Sequence, residues 1–266
     1  MFAFYLKKLL RCPAAYAGAL LFVASIVFSN TDYPLFDNPT YLYESSLYMG
    51  VTGYFIPVVT VLPVCFVRKE LSRGSVWQLP LLRSSPRRFT AGGLGAACVS
   101  GAFVTVLGFA LFFLGIVLSA GEGLDLRITF ASPECSDVPA NNPLYQGFYY
   151  RQPYWVVTLI EVSALAIRSM IYPAVAYLVS CRSDNQYLSA AAPFIFYILL
   201  LFSAQRLGYY VHRFFYYFDP NMLEPGVSDI ADSYYYPLYL LGYVLTVVLC
   251  CGLLSARLLK RRLTDG

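Results

Sequence analysis

The 266-residue chain is 58% hydrophobic and only 13% charged, with a mean hydropathy of +0.58. A soluble domain carries about 25% charged residues, so the composition excludes an ordinary soluble globular protein and points to an integral membrane protein. The net charge of +4 says less than where the charges lie, and no nucleic-acid partner is expected.

The chain opens with FAFYLKKLLR, in which Phe2, Tyr5, Leu9 and Leu10 share one face and Lys7 and Lys8 another. Two readings stand: a short helix on the membrane surface before Pro13 turns the chain inward, or a plain charged flank. Six apolar runs follow, over residues 13–29, 46–67, 91–120, 154–180, 187–204 and 237–256. A spanning helix needs about 20 apolar residues. The first and fifth runs are near the short limit, and the third and fourth are long enough to tilt, kink or project. Lys7, Lys8 and Arg11 resemble the start of a signal peptide, but Val27-Phe28-Ser29 is a poor cleavage site and five more runs follow. The first run therefore reads as a retained anchor.

The second run carries Pro57 and Pro63, which predict kinks or local unwinding. The third carries Gly93, Ala97 and Gly101 at four-residue spacing, a small-residue stripe that lets another helix approach closely. The loop 30–44 is short and acidic. The loop 121–153 is long, with local structure but no separate domain expected. Residues 182–186 are too few for anything but a tight antiparallel turn. The segment 205–236 is dense in tyrosine and phenylalanine. It reads as a re-entrant or interfacial helix before the sixth span, or as an aromatic belt at the end of the fifth. No internal repeat or linker divides the chain, so residues 1–266 read as one transmembrane domain.

Six spans place both ends on one side, and the positive-inside rule names that side cytoplasmic. Fourteen of the 19 basic residues fall there: Lys7, Lys8 and Arg11, then Arg68, Lys69, Arg73, Arg83, Arg87 and Arg88, then Arg182, and Arg257, Lys260, Arg261 and Arg262. Eleven of the 15 acids fall in the opposite loops. Of seven cysteines only Cys135 lies in an outer loop, which leaves no intramolecular outer disulfide. Cys135 reads as a free thiol or as a link between subunits.

Chemistry of the usual kinds has no residues to work with. The single histidine, His212, lies in the outer aromatic segment, and no metal-ligand cluster, Gly-x-Ser-x-Gly motif or paired intramembrane carboxylates accompany it. None of the four lysines sits in a phosphate-binding Gly-x-x-x-x-Gly-Lys-Ser/Thr motif. No catalytic residue, metal or cofactor is expected on this chain. Glu161 and Arg168 are the charges well inside an apolar run. Seven residues separate them, about 10 Å of helix. They serve either a structural pair or a translocation path, and a coupling-ion site is disfavoured because no second acid joins Glu161.

Residues 68–90, RKELSRGSVWQLPLLRSSPRRFT, form the one sizeable basic interruption. Arg68-Lys69-Glu70 is followed by Gly74, an amphipathic turn with Trp77, Leu79 and Leu82, and then Arg83-Ser84-Ser85-Pro86-Arg87-Arg88 before a small-residue-rich span. This pattern resembles the permease subunit of type 2, exporter-class ABC transporters: in topology along the whole chain, in motif only over residues 60–120. The resemblance implies an all-α membrane fold of six transmembrane helices with a cytoplasmic coupling helix between spans two and three. It implies that Glu70, Leu71, Arg73, Gly74, Val76, Trp77 and Leu79 contact a separate ATP-binding subunit. Arg83, Arg87 and Arg88 would hold the loop at the anionic inner leaflet. The family often places a Lys shortly after the arginine pair, where this chain reads Phe89-Thr90-Ala91-Gly92-Gly93, so that residue's role has no counterpart here. The expected partners are an ABC ATPase subunit, a second or related permease copy, and membrane lipids. Two other readings are a membrane scaffold or immunity-type protein that docks a partner without transport, and an ion-coupled secondary transporter.

Overall fold

The computed structural model describes residues 1–29, 50–66, 85–120, 153–183, 185–207 and 236–264. Its helices are α1 (Phe2–Arg11), α2 (Pro13–Ser29), α3 (Gly50–Val59), α4 (Pro86–Ala120), α5 (Tyr154–Ser169), α6 (Ile171–Arg182), α7 (Gln186–Leu207) and α8 (Tyr236–Thr264), with a short helical turn over 62–66. The described residues contain no β-strand, and each of the six apolar runs is helical where it is described. Arg87–Leu118, Val162–Arg182 and Leu240–Arg261 are each long and apolar enough to cross a membrane. Phe2–Arg11 and Pro13–Val27 form a fourth candidate if that bent pair counts as one span. Phe55–Phe66 and Gln186–Leu199 are shorter apolar helices. The chain is thus an all-helical protein of membrane type, with three to four helices of spanning length among the described residues.

The first ten residues form an amphipathic helix, although Phe2, expected on the face of Tyr5 and Leu9, is exposed. α1 ends at Arg11, and after Cys12 the axis bends by 56° into α2. Tyr5 and Leu9 of α1 are buried while Lys7 and Arg11 are exposed. What buries them is the start of α4. Tyr5 meets Phe89 edge-on at 5.6 Å, and a Cβ on Gly92 would fall 2.9 Å from Met1 Cβ and 3.0 Å from the Phe2 amide nitrogen.

α4 is the hub of the bundle, packing against α1, α2, α5, α6 and α8. It does so through glycines aimed in different directions. Gly92 faces α1; Gly93 and Gly101 face α6, where an added Cβ would come 2.5 Å from Tyr177 Oη and 2.5 Å from Pro173 Cγ respectively; Gly108 faces Phe22 of α2. The 93–97–101 stripe is therefore a helix-packing seam, with Ala97 itself buried in it. Tyr16 meets Phe103 and Phe22 meets Phe109, at 6.4 and 5.1 Å between ring centroids. Positions rise together along both helices, so α2 and α4 run parallel. On α6 they fall as those on α4 rise, so α4 and α6 run antiparallel. α6 and α7 are antiparallel across residues 183–185, and Tyr172 meets Tyr197 at 6.3 Å, each about equally far from that turn. Asn185 begins α7, its Oδ1 accepting the amides of Tyr187 and Leu188 at 2.9 and 3.4 Å.

In two apolar helices a proline interrupts the hydrogen-bond ladder while the helix runs on, since Phe55–Phe66 and Val162–Arg182 are each one helix. Pro63 leaves the carbonyl of Val59, four residues earlier, without its helical donor beside Thr60 and Val61, and Pro173 does the same to Ser169 beside Met170, whose backbone stays helical. In both cases the freed carbonyl faces a glycine of a neighbouring helix. A Cβ on Gly18 would lie 2.8 Å from Val59 O, and one on Gly101 would lie 3.0 Å from Ser169 O. Only a bare Cα approaches so closely, and it permits a weak Cα–H···O contact. Pro63 signals its interruption in the sequence. The one at Pro173 falls inside a run that reads as continuous.

Overpacking a filled helix interface costs about 1–3 kcal/mol. Gly101→Val and Gly108→Val are each expected to lower the unfolding free energy of the purified chain by that amount. Gly115, with open space where its Cβ would be, is expected to tolerate Ala and gain up to about 1 kcal/mol in helix propensity. Equal losses at Gly101, Gly108 and Gly115 in detergent unfolding would remove the close-packing account.

Candidate functional site

The described residues concentrate polar character at two levels of the bundle. The first is its basic end. α1 reaches the start of α4, and Tyr177 of α6 is level with Gly93, so Arg182 lies beyond it towards the same end. Gly252 of α8 meets Leu94, and the basic turn Arg257 to Arg261 follows shortly after. Arg87 and Arg88 occupy the first turn of α4 and are exposed. Ser85 stands before Pro86, its Oγ accepting the Arg88 amide in a long 3.4 Å bond. A serine before the helix and a proline at its first position are favourable start signals. Two arginines in the first turn are not, because the helix dipole disfavours cations there.

The second level is the middle of α4. Gly101 and Val104 are near the centre of this 35-residue helix, and they mark the level of both interruptions: Ser169 lies against Gly101, and Gly18, which faces Val59, has Val104 within 3.3 Å of its Cβ position. Thr60, Ser100, Thr105 and Ser169 are fully buried around this depth. Each hydroxyl donates to a carbonyl of its own helix, Thr60 to Ile56 (2.6 Å), Ser100 to Ala97 (2.8 Å), Thr105 to Gly101 (3.2 Å) and Ser169 to Ala166 (2.7 Å). Bonds of this kind satisfy the hydroxyl and bend or loosen the helix that carries it. The layer is therefore built of softened helix segments.

Arg168 belongs to this layer. It is 5% exposed, directly before Ser169 and the interruption. Arg168 is engaged within the bundle. Glu161 lies about two turns earlier on α5; its backbone is described and its side chain is not. Glu70, Leu71, Arg73, Gly74, Val76, Trp77, Leu79 and Arg83 lie outside the described residues, as do Cys135 and His212. Among the described residues no group of His, Cys, Asp and Glu could hold a metal ion. Sequence reasoning missed the shared level of the two interruptions; Pro63 and Pro173 were the available signal, but their common depth exists only once α2, α4 and α6 are packed.

Removing one member of a buried polar interaction in a protein interior costs about 3–5 kcal/mol. Arg168→Met is expected to lower stability by that order, and Arg168→Lys to restore only part of it, because an ammonium cannot reproduce the guanidinium's planar set of donors. Detergent unfolding of the three proteins checks this, and a Met variant as stable as the original would mean that Arg168 contributes no net stabilisation. Comparison of the chain with known proteins returns no matching family model, curated sequence or solved structure.

Proposed function

We propose that this chain is the membrane-spanning subunit of an ATP-driven ABC exporter, with six spans and both ends in the cytoplasm. The observation that carries the reading is the sequence pattern of residues 68–90: a charged Arg68-Lys69-Glu70, Gly74, the Trp77 turn and the arginine run, placed between two apolar segments on the basic side. A membrane protein without a nucleotide-binding motif needs a separate ATPase to use ATP, and this loop is the feature suited to meeting one. Glu70, Leu71, Arg73, Gly74, Val76, Trp77 and Leu79 form the contact in this proposal, with Arg83, Arg87 and Arg88 at the leaflet surface. A second permease copy completes the pathway. No covalent chemistry occurs on this chain.

Two structural features support the reading. The parallel α2 and α4 and the antiparallel α6 fit a chain that alternates through a bilayer. A hydrogen-bond ladder interrupted by proline at mid-depth gives each of two helices a point at which it can bend. In this reading the ATPases close on ATP, the loop moves, and the helices re-angle at Thr60–Val61 and Met170.

The chain is expected to co-purify with an ATP-hydrolysing subunit and to support ATP-dependent flux in proteoliposomes. Trp77→Ala with Gly74→Val is expected to lower flux-coupled hydrolysis at least about tenfold, corresponding to about 1.4 kcal/mol of lost coupling, while the helical bundle stays folded. Flux that follows an ion gradient without ATP would replace this reading with a secondary transporter. Partner binding without flux would replace it with a docking protein.

A further inference from the structure

Three cysteines gather where α4 meets α8, and neither the packing account nor the transport reading uses them. Cys98 and Cys251 are each 5% exposed and belong to the same apolar core. Cys250, next to Cys251, is exposed, and all three are free thiols. The two helices are in direct contact, since a Cβ on Gly252 would fall 3.1 Å from Leu94 Cδ2. Cys98 stands one turn beyond Leu94 on the same side of α4, and Cys251 is the residue before Gly252. α8 runs towards the basic end from which α4 starts, so the two helices are antiparallel. Side chains lean towards the start of their own helix. Cys98 therefore leans towards the level of Gly252, and Cys251 towards the level of Cys98. The two thiols lie within electrostatic reach of each other.

α8 is also the helix of spanning length that the bundle covers least. Of its most apolar stretch 22% is buried, against 39% for α4 and 61% for Val162–Arg182. Leu249, Cys250, Leu253 and Leu254 all face outwards, so lipid comes within one residue of Cys251. Burial shields these thiols from ions and water-borne oxidants, whereas an oxidant dissolved in the hydrocarbon arrives from the α8 side without crossing water. We propose that Cys98 and Cys251 are an oxidative modification site, joined into a disulfide between α4 and α8 by a lipid hydroperoxide. The Cys251 sulfur attacks the terminal oxygen of the hydroperoxide and the O–O bond breaks. The thiol proton passes to the lipid oxygen, a lipid alcohol departs, and Cys251 is left as a sulfenic acid. The Cys98 sulfur then attacks the Cys251 sulfur, the S–O bond breaks, and the hydroxyl leaves as water with the second thiol proton. The thiols lose two electrons in all and the hydroperoxide gains them. The link ties the most lipid-covered helix to the hub of the bundle and fixes the angle between them until a reductant opens it. The inference requires a membrane and does not depend on the transport reading.

The test uses the full chain, with any subunit that accompanies it, in nanodiscs of saturated phosphatidylcholine. A phosphatidylcholine hydroperoxide is added to the disc, or hydrogen peroxide to the buffer. Remaining thiols are alkylated in denaturant, and peptides are mapped by mass spectrometry without reductant. The lipid hydroperoxide is expected to give a peptide linking Cys98 to Cys251 within one chain, loss of both thiols and a higher unfolding midpoint, all reversed by a reductant. Hydrogen peroxide is expected to give less of the link. Cys98→Ser and Cys251→Ser each abolish it, with Cys98→Ala and Cys251→Ala in their place where a serine prevents folding, while Cys250→Ser and Cys181→Ser keep it. Absence of the link after lipid hydroperoxide would overturn the proposal. So would a sulfenic acid trapped on Cys251 beside an unmodified Cys98, which would show that the sulfurs do not meet. A link made through Cys250 or between chains would overturn it too, as would an equal yield from hydrogen peroxide, which would place the oxidant in water.

Discussion

The bundle depends on backbone approach at glycine. Between apolar helices in a bilayer there is no hydrophobic gain from association, since lipid tails are as apolar as leucine, so contact area and backbone polar satisfaction decide which helices stay together. α4 meets both needs by carrying Gly92, Gly93, Gly101 and Gly108 towards different neighbours. Ala97 keeps the α6 seam narrow between two of them. Bulk along these faces would move α1, α2 and α6 apart in turn, and the aromatic pairs Tyr5–Phe89, Tyr16–Phe103 and Phe22–Phe109 would open with them.

The same device answers a difficulty that proline creates. A carbonyl at membrane depth with no donor costs several kcal/mol in hydrocarbon, and Pro63 and Pro173 each produce one. Seating Val59 O over Gly18 and Ser169 O over Gly101 shields both carbonyls in protein and offers each a weak donor. The interruptions are therefore tied to the neighbouring glycine as much as to the proline. Bulk at either glycine would push the carbonyl away and expose it.

Much of the architecture was legible in the sequence because its signals are local. Apolar length located the helical runs, Pro63 an interruption (Pro57, expected to act likewise, lies inside α3), the 182–186 turn an antiparallel pair, and the setting of Tyr5 and Leu9 against Lys7 and Lys8 an amphipathic first helix. What was not legible depends on registry between distant segments. Nothing in FAFYLKKLLR says that its buried face rests on Phe89 and Gly92, and nothing in Ser169-Met-Ile-Tyr-Pro173 says that Gly101 will face the freed carbonyl. Arg168 shows the same limit. The sequence places it within a long apolar run, and only the contact between Ser169 and Gly101 sets its level near the middle of α4. Residues 68–84 rest on sequence pattern alone because they lie outside the described residues, whereas 86–90 form the start of α4.

The two polar levels share one helix. α4 begins at the basic end of the bundle, with Arg87 and Arg88 in its first turn, and passes the mid-depth layer near Gly101 and Val104. It is unbroken between them, whereas the segments beside that layer are interrupted at Thr60–Val61 and at Met170. α4 carries two of the layer's back-bonded hydroxyls, Ser100 and Thr105, and stays helical from end to end. In the proposed transport reading, a push on the start of α4 reaches the layer that holds Arg168 through one helix of 35 residues, packed there against two helices whose ladders a proline interrupts.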